Sequence, residues 1–388
     1  MVRFLFDGTA MQSTSTAKFH GGSEYAKFIF RELIKRDYYF DVVVSKYRDT
    51  DEDIIEILEK SLKGSIIEIC SNEEIYKLAN IDTYDVFFSA HPYEYGNYSG
   101  STKLIGVIHG IRTIELPWDR YKYKFYQGSL KRQLAKVLGR CNWFIDYWRN
   151  KHIKKMKQLL SVRNAEFITV SNHSKYALLT FFPFLKEEQI TVFYSPFSLL
   201  TGKSIKSKPY FLIVSGNRYE KNVWRAAMAF DRLFTEGRLQ DYRVVITGSG
   251  DKRIWHQLKN IDRFDLKGYV SYEELGTLYS NAFSFIYPSL NEGFGYPPLY
   301  AMALGVPVIA SSSTSIPEVC GNAACYFSPT SVDDLCGRIL RVVYDDEYRN
   351  NLITAGRERV RYLLEQQNQS VEKMINYLFN HNENSICQ

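Results

Sequence analysis

Glu292 is the single carboxylate in Asn291-Glu-Gly-Phe-Gly-Tyr-Pro-Pro-Leu-Tyr-Ala-Met-Ala-Leu-Gly-Val-Pro-Val-Ile-Ala310. Gly293 and Gly295 beside it let a ligand approach the backbone, so the stretch suits gripping hydroxyls. A second candidate lies in Ile213-Val-Ser-Gly-Asn-Arg-Tyr-Glu-Lys-Asn222, where Arg218 and Lys221 form a basic pair. Placed between a strand and a helix N-terminus, such a pair can hold a pyrophosphate; the plainer reading is an exposed basic loop. Gly21-Gly-Ser-Glu-Tyr25 stands at a helix start, where backbone N–H groups can reach a phosphate. His109, in Val107-Ile-His-Gly-Ile-Arg112, ends a strand-like run, although a lone histidine is more often structural. Asp49-Thr-Asp51 sits in an acidic loop with no apolar strand before it and reads as a solvated face.

Positioning these residues requires alternating strands and helices. Phe283 to Ser289 is a short apolar and aromatic run that suits a buried strand. Pro297 and Pro298 can open a helix, where a missing N–H costs nothing. Gly305 can close it in a left-handed cap, and Val306 to Ala310 reads as the next strand. Similar strand-like runs occur at Val2–Phe6, Tyr39–Ser45, Ile66–Ile69, Val86–Ser89, Leu104–Ile108, Phe167–Val170, Tyr210–Ser215 and Arg243–Thr247. Helical spacing separates them, as in Tyr25, Phe28, Ile29 and Leu33, which argues for parallel sheets covered by helices. Ser195 to Pro209 lacks periodicity and reads as a linker, and the chain beyond Asp345 reads as helical.

A length of 388 residues suits two domains, and 45% hydrophobic with 24% charged residues describes a globular chain. No apolar run approaches the roughly 18 residues of a membrane span. The opening Met-Val-Arg-Phe-Leu-Phe-Asp7 is too short a run for a secretory leader, and the six cysteines lack metal or redox spacing. A cytoplasmic location is therefore expected. The net charge of +6 is uneven. Residues 120–157 hold twelve Lys or Arg against one acid, Asp146, a local +11 against −5 for the rest. Aromatics from Tyr121 to Trp148 are interleaved, and Leu130, Leu134, Val137 and Leu138 share one helical face. The pattern suits an anionic membrane surface, with a structural insert as the alternative; no nucleic-acid-binding motif is present.

The Glu292 block closely resembles the donor signature of glycosyltransferase family 4, Glu-Gly-Phe-Gly-x-Pro-x-x-Glu-Ala-Met-Ala-x-Gly-x-Pro-Val-Ile. The resemblance covers both halves of the chain. It implies the α/β GT-B fold: two Rossmann-like parallel-sheet domains facing a cleft, with a C-terminal helix packing back on the N-terminal domain. The boundaries expected are 1–195 (acceptor side, with the insert 120–157), 196–358 (nucleotide-sugar side) and 359–388 (the returning helix). It also implies a metal-independent retaining transferase without a cofactor, taking a dTDP-, GDP- or UDP-sugar to a lipid-linked glycan for O-antigen or capsule synthesis. Glu292, His109 and Lys221 would be catalytic. Gly21, Gly22, Arg218, Gly248, Gly250, Tyr269, Val270, Gly293, Phe294, Gly295, Leu299 and Tyr300 would line the donor. The block resembles that of mannosyl- and rhamnosyltransferases of bacterial polysaccharide synthesis.

Two positions depart from the family. Gly110 replaces the aspartate that follows the histidine, and Tyr300 replaces the second glutamate, eight residues after Glu292. In relatives that glutamate accepts from both ribose hydroxyls, whereas a tyrosine offers one phenol oxygen. A donor lacking the 2′-hydroxyl, such as dTDP-rhamnose, is one reading of Tyr300; an ordinary ribose, or mere packing, is the other. Non-catalytic sugar-nucleotide binding and GT-B epimerase or phosphorylase activity are the competing functions.

Overall fold

The computed structural model of the chain describes residues 2–13, 21–80, 84–205 and 208–379. Linker residues 206–207 and the tail 380–388, part of the expected returning helix, lie outside them. The chain divides into two compact units: 1–111 with 151–197 and 366–388, and 112–150 with 198–365. The expectation put the whole basic stretch in the first domain, but 112–150 clusters with the second. The physical reason is its contacts: Tyr121 and Phe125 pack against the second unit's apolar core.

In the first unit a seven-stranded, all-parallel sheet has the order β3-β2-β1-β4-β5-β6-β7. Its strands are β1 (Phe4–Asp7), β2 (Asp41–Ser45), β3 (Ile66–Ile69), β4 (Val86–Ser89), β5 (Lys103–Ile108), β6 (Ala165–Thr169) and β7 (Ile190–Val192). The central strands are buried along almost their whole length and mostly apolar, as strands covered on both faces are. Phe4, Phe6, Phe30, Phe40 and Phe88 form the middle of this core. Residues 366–379, the end of the helix Asp346–Phe379, belong to it as well. Phe379 stacks on Phe4 at 4.6 Å between ring centres, and the Tyr25 hydroxyl meets Met374 Sδ at 3.1 Å.

The second unit repeats the plan with six parallel strands in the order β10-β9-β8-β11-β12-β13. They are β8 (Tyr210–Ile213), β9 (Arg243–Ile246), β10 (Phe264–Leu266), β11 (Ser284–Tyr287), β12 (Val308–Ser311) and β13 (Ala324–Phe327). β8 and β11 are neighbours, Phe285 lying opposite Leu212, and the chain winds outward from them in opposite directions. That is a topological switch point, where open α/β sheets leave a crevice beyond the strand ends. The helix Tyr296–Ala303 starts at the two prolines, as the sequence predicts. It ends at Gly305, whose φ of +74° is the left-handed conformation glycine adopts without strain. The expected linker is ordered from Ser198 to Ile205 and lies on the helix Tyr272–Ser280. Ile205 N–H donates to Asn281 Oδ1 at 2.7 Å, and Asn281 Nδ2 donates to the Lys203 carbonyl at 2.8 Å.

Candidate functional site

Lys221 and Glu292 come from the loops that leave β8 and β11, the two strands flanking the switch point. Lys221 Nζ donates to Glu292 Oε1 at 2.6 Å, with the side chains only 9% and 12% exposed. Ser289 Oγ donates to the same oxygen. Burial alone would raise the Glu292 carboxyl. The Lys221 charge, with hydrogen bonds from Lys221 and Ser289 and the Tyr287 phenol beside them, outweighs it and holds the carboxyl down at about 2. Burial depresses the Lys221 ammonium, and Arg218 and Arg112 push the same way against the pull of Glu292. The result is a desolvated ion pair with fixed geometry, the kind of charge that acts strongly on a ligand replacing water.

The loop carrying Glu292 is held by its backbone. Glu292 N–H donates to Thr314 Oγ1 at 2.9 Å, and Ser315 Oγ donates to the carbonyls of Glu292 and Phe294, both at 2.9 Å. Leu290 N–H donates to the Glu220 carbonyl at 2.8 Å, tying this loop to the one with Lys221. Asn222, buried with φ +57°, donates to the carbonyls of Pro288 and Pro329. Asn291 reaches Glu115 Oε2 at 2.8 Å. Sequence reasoning missed Ser289, Glu220, Asn222, Thr314, Ser315 and Glu115. The one available signal was Glu220, an acid set between two cations.

The remaining donor-side expectations gather at the same sheet edge. Gly248 and Gly250, at φ +59° and +64°, turn the chain after β9. A Cβ on Gly250 would stand 2.7 Å from Asn217 Cβ, so only glycine fits there. Gly248 N–H donates to the Gly268 carbonyl at 2.8 Å, which brings the turn of Tyr269 and Val270 alongside; Tyr269 is well exposed. Gly295, at φ +106°, precedes the helix Tyr296–Ala303, with Gly293 and Phe294 in the loop before it. Leu299 is wholly buried, so its side chain belongs to the core and only its backbone can serve a ligand. Tyr300 is half-buried and meets Tyr279 edge-on at 6.1 Å between ring centres. Arg218 lies with Nε 3.4 Å from Glu220 Oε1. The Glu318 carbonyl accepts from Arg359 at 2.6 Å.

His109 ends β5 with Nε2 2.9 Å from the Ala90 carbonyl and its ring edge-on to Tyr25 at 5.1 Å. Gly21 and Gly22 open the helix Gly21–Lys35, Gly21 being exposed. Asp51 pairs with Lys27 and starts the helix Glu52–Lys60.

Residues 201–359 match the family model described as "Glycosyl transferases group 1". Over 146 residues the chain is 36% identical to O-antigen chain mannosyltransferase B of Escherichia coli, covering 36% of this chain and 38% of that relative. The chain thus spans well under half the length of the curated relative it matches. Two solved structures share the fold over nearly the whole length. Sucrose-phosphate synthase from Thermosynechococcus elongatus superposes with a TM-score of 0.70 at 16% identity, covering 98% of each chain. Anabaena Alr3699/HepE, solved in complex with UDP and glucose, gives 0.69 at 12% identity, covering 97% of this chain and 100% of that one. The fold of the whole chain is GT-B, and residues 201–359 are similar to the glycosyl transferases group 1 family.

Proposed function

We propose that this chain is a retaining glycosyltransferase that moves a sugar from a nucleotide-sugar donor to a hydroxyl of a lipid-linked glycan in surface polysaccharide synthesis. The observation that carries the reading is the buried Lys221–Glu292 pair at the β8/β11 switch point. The relatives support it: one is an O-antigen chain mannosyltransferase, and one fold neighbour was solved in complex with UDP and glucose. Glu292, ionised at neutral pH, accepts from donor sugar hydroxyls and fixes the reacting carbon. Lys221 and Arg218 stabilise the charge that develops on the leaving diphosphate. The bond from the anomeric carbon to the diphosphate breaks while the bond to the acceptor oxygen forms on the same face. The acceptor proton passes to the departing phosphate oxygen.

The acceptor end is read from 129–150. Tyr121 and Phe125 pack inward, but the helix Ser129–Leu138 leaves Leu130 78% and Val137 62% exposed. The next helix, Asn142–Leu160, leaves Trp143 68% and Tyr147 61% exposed. Lys131, Lys136 and Arg140 are exposed among them. Aromatic and aliphatic side chains bordered by cations suit the inner face of an anionic cytoplasmic membrane. No helix among the described residues is long and apolar enough to cross a bilayer.

Incubation with dTDP-, GDP- and UDP-sugars, followed by nucleoside diphosphate release, tests the activity. One donor class should be consumed by the wild type and not by Glu292→Ala. Tight nucleotide binding with no turnover on any donor or acceptor would favour the non-catalytic alternative.

A further inference from the structure

Glu220 follows Arg218 by two residues and precedes Lys221, and its side chain is 8% exposed. Its Oε1 takes two arginines at once. Arg112 NH1 lies 3.0 Å away and Arg218 Nε 3.4 Å away. Neither guanidinium is consumed by this contact, since both side chains remain 41% exposed. The carbonyl of Glu220 accepts from Leu290 N–H and from Ser289 Oγ, the hydroxyl that also serves Glu292. One buried acid therefore fixes two half-exposed arginines to the loop that carries the Lys221–Glu292 pair.

Charge gives this arrangement a ligand class. Arg112, Arg218 and Lys221 stand against the carboxylates of Glu220 and Glu292. Lys122 adds a fourth cation, its ammonium 4.6 Å from the Trp118 ring centre and 4.7 Å from that of Tyr219, and it senses both Glu220 and Arg112. The surplus is positive and lies where a dianion would offset the mutual repulsion of the cations. A guanidinium presents a planar fork of donors that matches phosphate oxygens. Arg112 reaches this place because the short helix Arg112–Glu115 belongs to the second unit, and Glu115 at its other end binds Asn291.

We propose that Arg112 is a third phosphate-binding cation, gripping the diphosphate of the nucleotide donor together with Arg218 and Lys221. The inference rests on the donor reading above and adds a residue from outside the Arg218–Lys221 loop. A structural clamp on Glu220 would stabilise the fold without favouring a second phosphate. A diphosphate grip separates ligands by phosphate number.

The test is calorimetric titration of wild type, Arg112→Gln and Arg112→Lys with UDP, GDP and dTDP, the matching monophosphates, and inorganic pyrophosphate. Arg112→Gln should weaken the bound diphosphate and pyrophosphate by about tenfold or more, leave the monophosphate within about threefold, and be partly rescued in Arg112→Lys. Equal loss for mono- and diphosphate, or no loss, overturns the role of Arg112 while leaving the donor reading standing. No nucleotide binding by the wild type would instead remove the donor reading and this inference with it. Thermal unfolding of each variant separates weak binding from a damaged fold.

Discussion

The carboxyl edges of the two sheets solve different problems with the same topology. In the first unit the acid at the end of β1, Asp7, is 1% exposed and acts as a hub of neutral hydrogen bonds. It accepts from Thr9 N–H and Thr9 Oγ1, from Ser89 Oγ at 2.6 Å and from Tyr95 at 2.9 Å. In the second unit the acid at the equivalent edge, Glu292, is opposed by a buried ammonium and surrounded by further cations. A carboxylate satisfied on all sides by hydroxyls and N–H groups rigidifies strand ends. One held in a charge pair keeps a field that a polar ligand can share. Of these two acids, Glu292 is the one that a buried ammonium opposes.

The sharpest way to break this contrast is a pair of substitutions. Glu292→Gln should lower turnover on the native donor by about 10²–10³, the scale for losing one preorganised polar group, and should also cost stability because Lys221 stays buried without its counter-charge. Asp7→Ala should affect stability alone. It strands buried donors of Thr9, Ser89 and Tyr95 and should cost about 3–5 kcal/mol in denaturant unfolding, with activity per folded molecule retained. If both variants lose activity equally and neither loses stability, the two edges are not specialised.

A pH experiment sharpens the second edge. The Glu292 carboxyl sits at about 2 in the folded chain against 4.5 ordinarily, so its contribution is present above 4.5 and lost as pH falls through 2. Donor binding should therefore not respond to Glu292 titration between pH 5 and 8. In Glu292→Gln the buried Lys221 loses its counter-charge, its ammonium is depressed further, and diphosphate binding should weaken as pH rises. Binding by that variant that is flat up to pH 9 would mean Lys221 does not touch the phosphate.

Smaller effects follow at the periphery. Tyr300→Glu should raise affinity for UDP or GDP by about tenfold if the tyrosine selects against a 2′-hydroxyl, the scale of one added charged hydrogen bond. Unchanged ribonucleotide binding would leave Tyr300 as packing against Tyr279. Replacing Leu130 and Val137 together by Ser should reduce binding to vesicles rich in phosphatidylglycerol several-fold, without affecting donor hydrolysis in solution. Equal binding of wild type and variant to the phosphatidylglycerol vesicles would contradict the membrane reading.

The central strands were legible because burial on both faces favours runs of apolar and aromatic residues, as in Tyr210–Ile213 and Phe285-Ile286-Tyr287. The edge strands Ile190–Val192 and Phe264–Leu266 were not, since three residues with a polar member make no run. Ala324–Phe327 escaped because Ala and Cys give no strand signal, although Cys325 is buried. Lys221 and Glu292 were visible as types in motifs. Their mutual contact was not, because it depends on β8 and β11 becoming neighbours across 71 residues of sequence. The role of 112–126 was hidden for the same reason. Charge and aromatics are in the sequence, but which aromatics pack inward is settled by the Trp224 and Trp255 face they meet. Lys124 sits 4.2 Å over the Trp224 ring, and Arg225 binds Asp119 at 2.8 Å.

The most direct test of the central claim is thermal unfolding of wild type and Lys221→Met with UDP, GDP, dTDP and ADP. At a hundredfold over its dissociation constant, the matching nucleotide should stabilise the wild type by about 2.7 kcal/mol. That gain should vanish in Lys221→Met. A nucleotide shift that survives intact in Lys221→Met, or no shift with any nucleotide, would contradict a donor site built on the Lys221–Glu292 pair.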